Sequence, residues 1–165
     1  MLDIEKLLSA SVDDEVELPF CRQLFVSVIT GLESYLSDAF MSTVLRDKAL
    51  LQTFVETTPE FAERKFPLSE IFKQIVQVEQ AAEAYLADVV WHNLYKIRPM
   101  YSAALGVRLP DIGDLMKAVV VRHDLVHRNG KTKNGFEHIV TRADVRNLMT
   151  LAESFVVAID PQLPE

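Results

Sequence analysis

The stretch Phe20–Phe40, FCRQLFVSVITGLESYLSDAF, decides the fold. Phe20, Leu24, Phe25, Val28, Ile29, Leu32, Tyr35, Leu36 and Phe40 recur at three- and four-residue steps, so on an α-helix they share one broad face. Glu33 falls at one edge of that face and Asp38 at the other. A strand would instead need alternation over a short run. Asp13-Asp14-Glu15 upstream supplies a cap and acids for the positive end of the helix dipole. Pro19 is tolerable only near that start. Before it, Leu2–Leu8 reads as a short, frayed helix.

Working outward, the same periodicity recurs. Lys48–Val55 reads as a short helix, and Thr57–Pro67 as a connection. Ser69 is placed to cap a second long helix reaching Trp91–Leu94. Arg98-Pro99 is expected to break the pattern, with Met100–Leu105 adding a turn or two. Asp111 is placed to cap a helix over Ile112–Arg128. Asn134-Gly135 marks a tight turn inside Lys131–Ile139, which forms either a small hairpin or a simple loop. Thr141 and Asp144 have the spacing of a capping box, with Asp in place of the usual Glu or Gln. Val145, Leu148, Met149, Ala152, Phe155, Val156 and Ile159 give the last helix one apolar face, and Asp160-Pro161 stops it. The expectation is one all-α domain over 1–165, an antiparallel bundle of four main helices with short accessories, and 1–15 a frayed segment.

With 165 residues, 49% hydrophobic and 25% charged, the chain suits a globular domain with a real core. No apolar run is expected to approach the length of a membrane span, and the acidic N-terminus is not a secretory signal. The single Cys21 sits among Phe20, Leu24 and Phe25 as a small core hydrophobe, so a reducing compartment, the cytoplasm, is expected. Net charge is −7, which argues against a general nucleic-acid coat. Yet Lys117–Arg146 holds seven Lys/Arg against three Asp/Glu, so a basic segment is set in an acidic body. Such a segment attracts a polyanion locally.

Chemistry concentrates in Val119–Gly130, VVVRHDLVHRNG, inside that basic segment. A five-residue step sets Arg122 and His127 roughly 140° apart on a regular helix. They converge better if the helix frays before the Asn129-Gly130 stop. A histidine in the last helical turn can move protons near neutrality, and an arginine fork can hold a phosphate oxygen. RNA cleavage by the 2′-hydroxyl needs both a proton acceptor and a proton donor, so one Arg/His pair suggests a two-fold dimer that supplies the second. His123 and His127, an i, i+4 pair, compete as metal ligands, with His138 or Glu33 as a third. Asp124 is spaced to pair with Arg128 on the helix surface. The most ordinary alternative has Arg122 paired with an acid of another helix and His127 capping carbonyls. Gly130-Lys131-Thr132 lacks the glycine five residues earlier that a phosphate loop requires.

Arg122–His127, RHDLVH, resembles the R-[polar]-x3-H motif of HEPN domains, and RHDLVHRNGKTKNG resembles the branch found in prokaryotic defence and toxin proteins. GLESYLSDAF (31–40) is similar to that branch's acidic-edged second helix, and VTRADVRNLMTLAESFVVAID (140–160) to its final helix. The resemblance spans most of Phe20–Asp160. It implies an all-α, often dimeric bundle whose active members are ribonucleases that use neither metal nor cofactor, with a composite site at the dimer interface. Arg122 and His127 would be the catalytic pair, His123 the assisting polar residue, and Glu33 the orienting acid, with Asp124 in support. Arg128, Lys131 and Lys133 are candidate RNA contacts. A toxin or anti-phage effector of this kind would have RNA as substrate and an antitoxin or defence-system protein as partner, with no membrane involved. Some relatives carry a tyrosine after the motif histidine, which their partner modifies; here Arg128-Asn129-Gly130 follows. Other HEPN domains have lost catalysis and serve as dimerisation or partner-binding modules, the alternative function for this chain.

Overall fold

The computed structural model describes residues 2–164. Among them the chain is all-α: eight α-helices, two 3-10 turns, and a single antiparallel bridge between Lys131 and Glu137. Two compact units are formed. One comprises the chain up to Tyr35 with Pro110–Ala158, the other Leu36–Leu109 with the chain from Ile159.

The first unit contains α1 (Leu2–Leu8), the leading part of α2 (Asp14–Arg46), α7 (Gly113–His127) and α8 (Arg142–Ile159). Its buried side chains come at helical spacing: Leu24, Phe25, Val28, Ile29 and Leu32 on α2, Leu115, Ala118 and Val119 on α7, Val145, Leu148, Ala152 and Phe155 on α8. Asp14, Glu15 and Glu17 occupy the first turn of α2, where carboxylates meet the positive dipole end. Thr141 and Asp144 do form the capping box. The Thr141 N–H and hydroxyl both donate to Asp144 Oδ2, at 2.9 and 2.6 Å, and the Asp144 N–H returns to Thr141 Oγ1 at 3.2 Å. Arg142 fastens the N-terminal segment. It donates to both carboxylate oxygens of Glu17, at 2.7 and 2.8 Å, and to the carbonyls of Leu8 and Ala10. That pairing holds the Glu17 carboxyl below its usual value, chiefly through the hydrogen bond.

The second unit contains the rest of α2, then α3 (Lys48–Thr57), α4 (Pro59–Ala62), α5 (Ile71–Ala87) and α6 (Leu94–Leu105). Asp47 caps α3 by accepting from Ala49 N at 2.7 Å. Phe40 is the hub: its ring centroid lies 5.5 Å from Phe54, 5.8 Å from Trp91 and 5.1 Å from Tyr101. The buried Tyr101 hydroxyl donates to the Leu36 carbonyl at 2.7 Å.

Several boundaries differ from the sequence expectation. α2 continues to Arg46 because Thr43 and Val44 remain buried beyond that apolar stretch. The supposed connection Thr57–Pro67 contains α4, with Pro59 at a first-turn position that tolerates proline. Ser69 lies within a 3-10 turn, and no side chain caps α5. That helix stops at Ala87, short of Trp91. Asp88 N and Val89 N bond back to Tyr85 O and Leu86 O, tightening the last turn, and the chain turns so that Trp91 is buried beside Phe40. Pro99 sits inside α6 instead of breaking it. Removing one backbone donor is outweighed there by the burial of Leu94, Ile97, Tyr101 and Ala104 on one face.

By length and composition α2 is apolar enough to cross a membrane. About two-fifths of that apolar window is nevertheless buried in the protein itself, with Cys21, Val28, Leu36 and Phe40 at 0% exposure, while Gln23, Ser27, Thr30, Ser34 and Asp38 are exposed along the helix.

Candidate functional site

α7 is an unpromising helix by local preference, since Val119-Val120-Val121 is a β-branched run that loses side-chain freedom in a helix. Its start is helped by Asp111, whose Oδ1 accepts from Gly113 N at 3.1 Å. Burial of Leu115, Ala118 and Val119 supplies the rest. Its end is closed by the Asp124 carbonyl, which accepts from both Arg128 N and Gly130 N at 3.0 Å. Asn129 (φ 51°) and Gly130 (φ 78°) take left-handed conformations that turn the chain away.

This closure keeps α7 helical through His127, so the fraying that would let Arg122 and His127 converge does not occur. Arg122 and His127 therefore belong to separate clusters, about 140° apart around the helix. Arg122 faces Glu33 of α2: its Nη2 lies 3.8 Å from Glu33 Oε1, with both side chains about four-fifths buried. Arg122 Nε is buried and has no hydrogen-bond partner among the described residues. The guanidinium is thus held in place while retaining donor capacity. His127 groups instead with His123, ring centroids 4.7 Å apart and tilted 45°, both residues exposed. Desolvation of the His123 ring, reinforced by the Arg128 charge and by His127, lowers its pKa from the ordinary histidine value.

Asp124 departs from its sequence reading. It does pair with Arg128, but it is 5% exposed and lies inside the unit, not on the surface. Its second oxygen is 3.0 Å from His138 Nε2. The hydrogen bonds from His138 and Arg128, in that order, hold its carboxyl below the usual aspartate value. His138 is therefore committed to Asp124 and does not join His123 and His127. Among the described residues, no group of three His, Cys, Asp or Glu side chains is arranged to hold a metal ion. Arg128, named as an RNA contact, is committed to the same carboxylate, whereas Lys131 and Lys133 are exposed and make no ion pair among the described residues.

Sequence reasoning missed Arg22. From α2 its guanidinium donates to the His138 carbonyl through Nη2 at 2.6 Å and Nε at 3.2 Å, and to Glu137 Oε1 at 2.9 Å. It lies directly against Gly130. Over a hundred residues separate it from the turn it clamps, so no local pattern announces it. The turn itself is neither a hairpin of strands nor an open loop: the lone Lys131–Glu137 bridge closes it, supported by His138 N to Gly130 O at 2.8 Å.

The second unit holds a cavity of about 340 Å³ lined by Pro59, Pro99, Met100 and Ala103. At its edge Glu60 Oε1 accepts from Tyr85 at 2.9 Å and from Lys96 at 3.0 Å. These groups satisfy one another, leaving no unbalanced charge to attract a ligand. Comparison with known proteins gives no match to this chain among family models, curated proteins or solved structures.

Proposed function

We propose that this chain is a HEPN-type endoribonuclease, an antiparallel bundle of four main helices that acts as a homodimer without metal or cofactor. The observation that carries the reading is the Arg122 guanidinium, steadied by Glu33, on the same helix as the exposed His123–His127 pair. The divergence of Arg122 from His127 within one chain supports a composite site, in which one copy's histidine works with the other copy's arginine.

In this mechanism the substrate O2′ bonds to the adjacent phosphorus and the P–O5′ bond breaks. One His127 removes the 2′-hydroxyl proton, and the second copy's His127 protonates the departing O5′. Arg122 stabilises the charge growing on the non-bridging oxygens. The products are a 2′,3′-cyclic phosphate and a 5′-hydroxyl end. His123, its ring beside that of His127, helps to position it. The same reading makes the protein a cytoplasmic toxin or anti-phage effector restrained by an antitoxin or defence-system partner.

The test is cleavage of RNA by purified protein in EDTA. Wild type is expected to produce cyclic-phosphate ends, and Arg122→Ala and His127→Ala to slow cleavage at least about a hundredfold. Equal rates for all three proteins, or no cleavage by any, would end the reading. Activity abolished by EDTA would assign the histidine pair to a metal instead.

A second reading, a non-enzymatic dimerisation module, is favoured by the start of α5 and the 3-10 turn before it. Leu68, Phe72 and Val76 are 81%, 82% and 79% exposed, with Ile75 at 61%, and they follow helical spacing. With Ile71 these side chains expose on the order of 600–800 Å², close to one partner's share of a standard interface. Joint Phe72→Glu and Val76→Glu substitution is expected to convert a dimer to monomer in light scattering while leaving the helical circular dichroism unchanged. A wild type that stays monomeric at every concentration tested would remove this reading.

A further inference from the structure

The turn that follows α7 carries one exposed aromatic ring and two exposed cations. Phe136 is 72% exposed, an expensive way to hold a large apolar side chain unless it has a use. The exposure is imposed by a fixed backbone. Thr132 N donates to Phe136 O at 2.8 Å, Phe136 N donates to Thr132 Oγ1 at 3.1 Å, and Gly135 N donates to Thr132 O at 3.0 Å. Below that tip, the base is fastened twice: Arg22 holds the His138 carbonyl from α2, and Asp124 holds the His138 ring from α7. Lys131 and Lys133 stand on the same turn, exposed and without ion-pair partners among the described residues. The one acid of the turn, Glu137, is neutralised by Arg22.

We propose that this turn is a binding finger for an unpaired stretch of RNA, in which a base stacks on the Phe136 ring while Lys131 and Lys133 contact flanking phosphates. The proposal rests on the ribonuclease reading and narrows its substrate to single-stranded RNA. An aromatic face accepts any base, and cations on the same turn attract the strand's phosphates. A paired base keeps its faces covered by its neighbours, so a duplex offers the ring nothing to stack on. A protein partner would use the ring as a hydrophobe and would not require it to be aromatic. Because Asp124 and the Gly130 amide tie the turn to the end of α7, the captured strand is delivered beside the helix end that carries His127. Phe136 and the two lysines act as binding and positioning residues, not catalytic ones.

The experiment measures fluorescence anisotropy of labelled single-stranded oligouridylate, and of a blunt RNA duplex, with protein carrying His127→Ala so that the probe survives. Single strands are expected to bind more tightly than duplex. Adding Phe136→Ala or Phe136→Leu should weaken single-strand binding about tenfold or more, and Phe136→Trp should restore it, with its fluorescence quenched by the RNA. Joint Lys131→Ala and Lys133→Ala should reduce the slope of log Kd against log salt by about 1.4, the share of two phosphate contacts to a single strand. Binding unchanged in Phe136→Ala, or preserved in Phe136→Leu, overturns the finding of a stacking finger, and the latter result turns the ring into a protein-docking hydrophobe. Cleavage by the wild type is scored separately: intact cleavage with unchanged Phe136→Ala binding overturns the finger alone. Ring-dependent binding without any cleavage overturns the nuclease and leaves a single-strand binder.

Discussion

Replacing Gly130 by alanine is expected to lower folding stability by about 2–4 kcal/mol, although no side chain is lost. Two effects combine. At φ 78° an L-residue with a Cβ is strained, by roughly 1–2 kcal/mol. The new Cβ would also lie 2.6 Å from Arg22 Cζ and 2.7 Å from its Nη1, so the guanidinium must withdraw. Withdrawal weakens its hydrogen bonds to the His138 carbonyl and to the half-exposed Glu137, and because the flexible guanidinium regains water this adds about 1–2 kcal/mol. Urea unfolding measures the loss directly. A double-mutant cycle separates the two parts: in an Arg22→Ala background the collision is gone, so Gly130→Ala should then cost only the backbone strain. Additive losses would mean that Arg22 and Gly130 do not meet as described.

The largest stability loss is expected at Phe40. Phe40→Ala should cost about 3–5 kcal/mol, a large share of a typical domain's total. The ring is fully buried and touches three aromatic neighbours, Phe54, Trp91 and Tyr101. Those neighbours are drawn from α3, the turn before α6, and α6 itself, so the cavity left behind cannot collapse without moving all of them. Phe40→Leu keeps most of the volume and should cost less, about 1–2 kcal/mol. Chemical denaturation with an unchanged m-value checks both. A loss below about 1 kcal/mol for Phe40→Ala would show that the aromatic cluster is dispensable.

The helical class was legible because it depends on a repeated pattern: the apolar face from Phe20 to Phe40, and again from Val145 to Ile159, needs only a count of spacings. Caps were legible where the capping side chain is local, as at Thr141 with Asp144. Boundaries governed by tertiary packing were not. Nothing beside Pro99 in the sequence tells that Tyr101 will be buried and bonded to Leu36, which is what keeps α6 continuous. The shortening of α5 likewise depends on Trp91 finding Phe40, a contact between residues 51 positions apart.

The site divides the same way. That Arg122, His123 and His127 crowd one helix end is plain from the letters, and the Arg122–Glu33 approach follows from acids at the edge of α2. Which groups keep company is not plain. His138 looked free to join the other histidines until Asp124 proved to be buried and able to claim it. A carboxylate's burial depends on what surrounds it in space, and an i, i+4 pairing with Arg128 looks the same on a surface as in an interior. Arg22 reads as one polar residue on the edge of an apolar face. Its value comes wholly from a turn built a hundred residues later.

The turn after α7 divides into a fastened base and a self-bonded tip, and that division governs how it can change over generations. Thr132, Gly135 and Phe136 bond to one another and not to the helices, while Gly130 and His138 carry the attachments to Arg22 and Asp124. Asn134 is exposed at the tip, so a substitution there changes what the tip presents while leaving the bonds that anchor the turn in place.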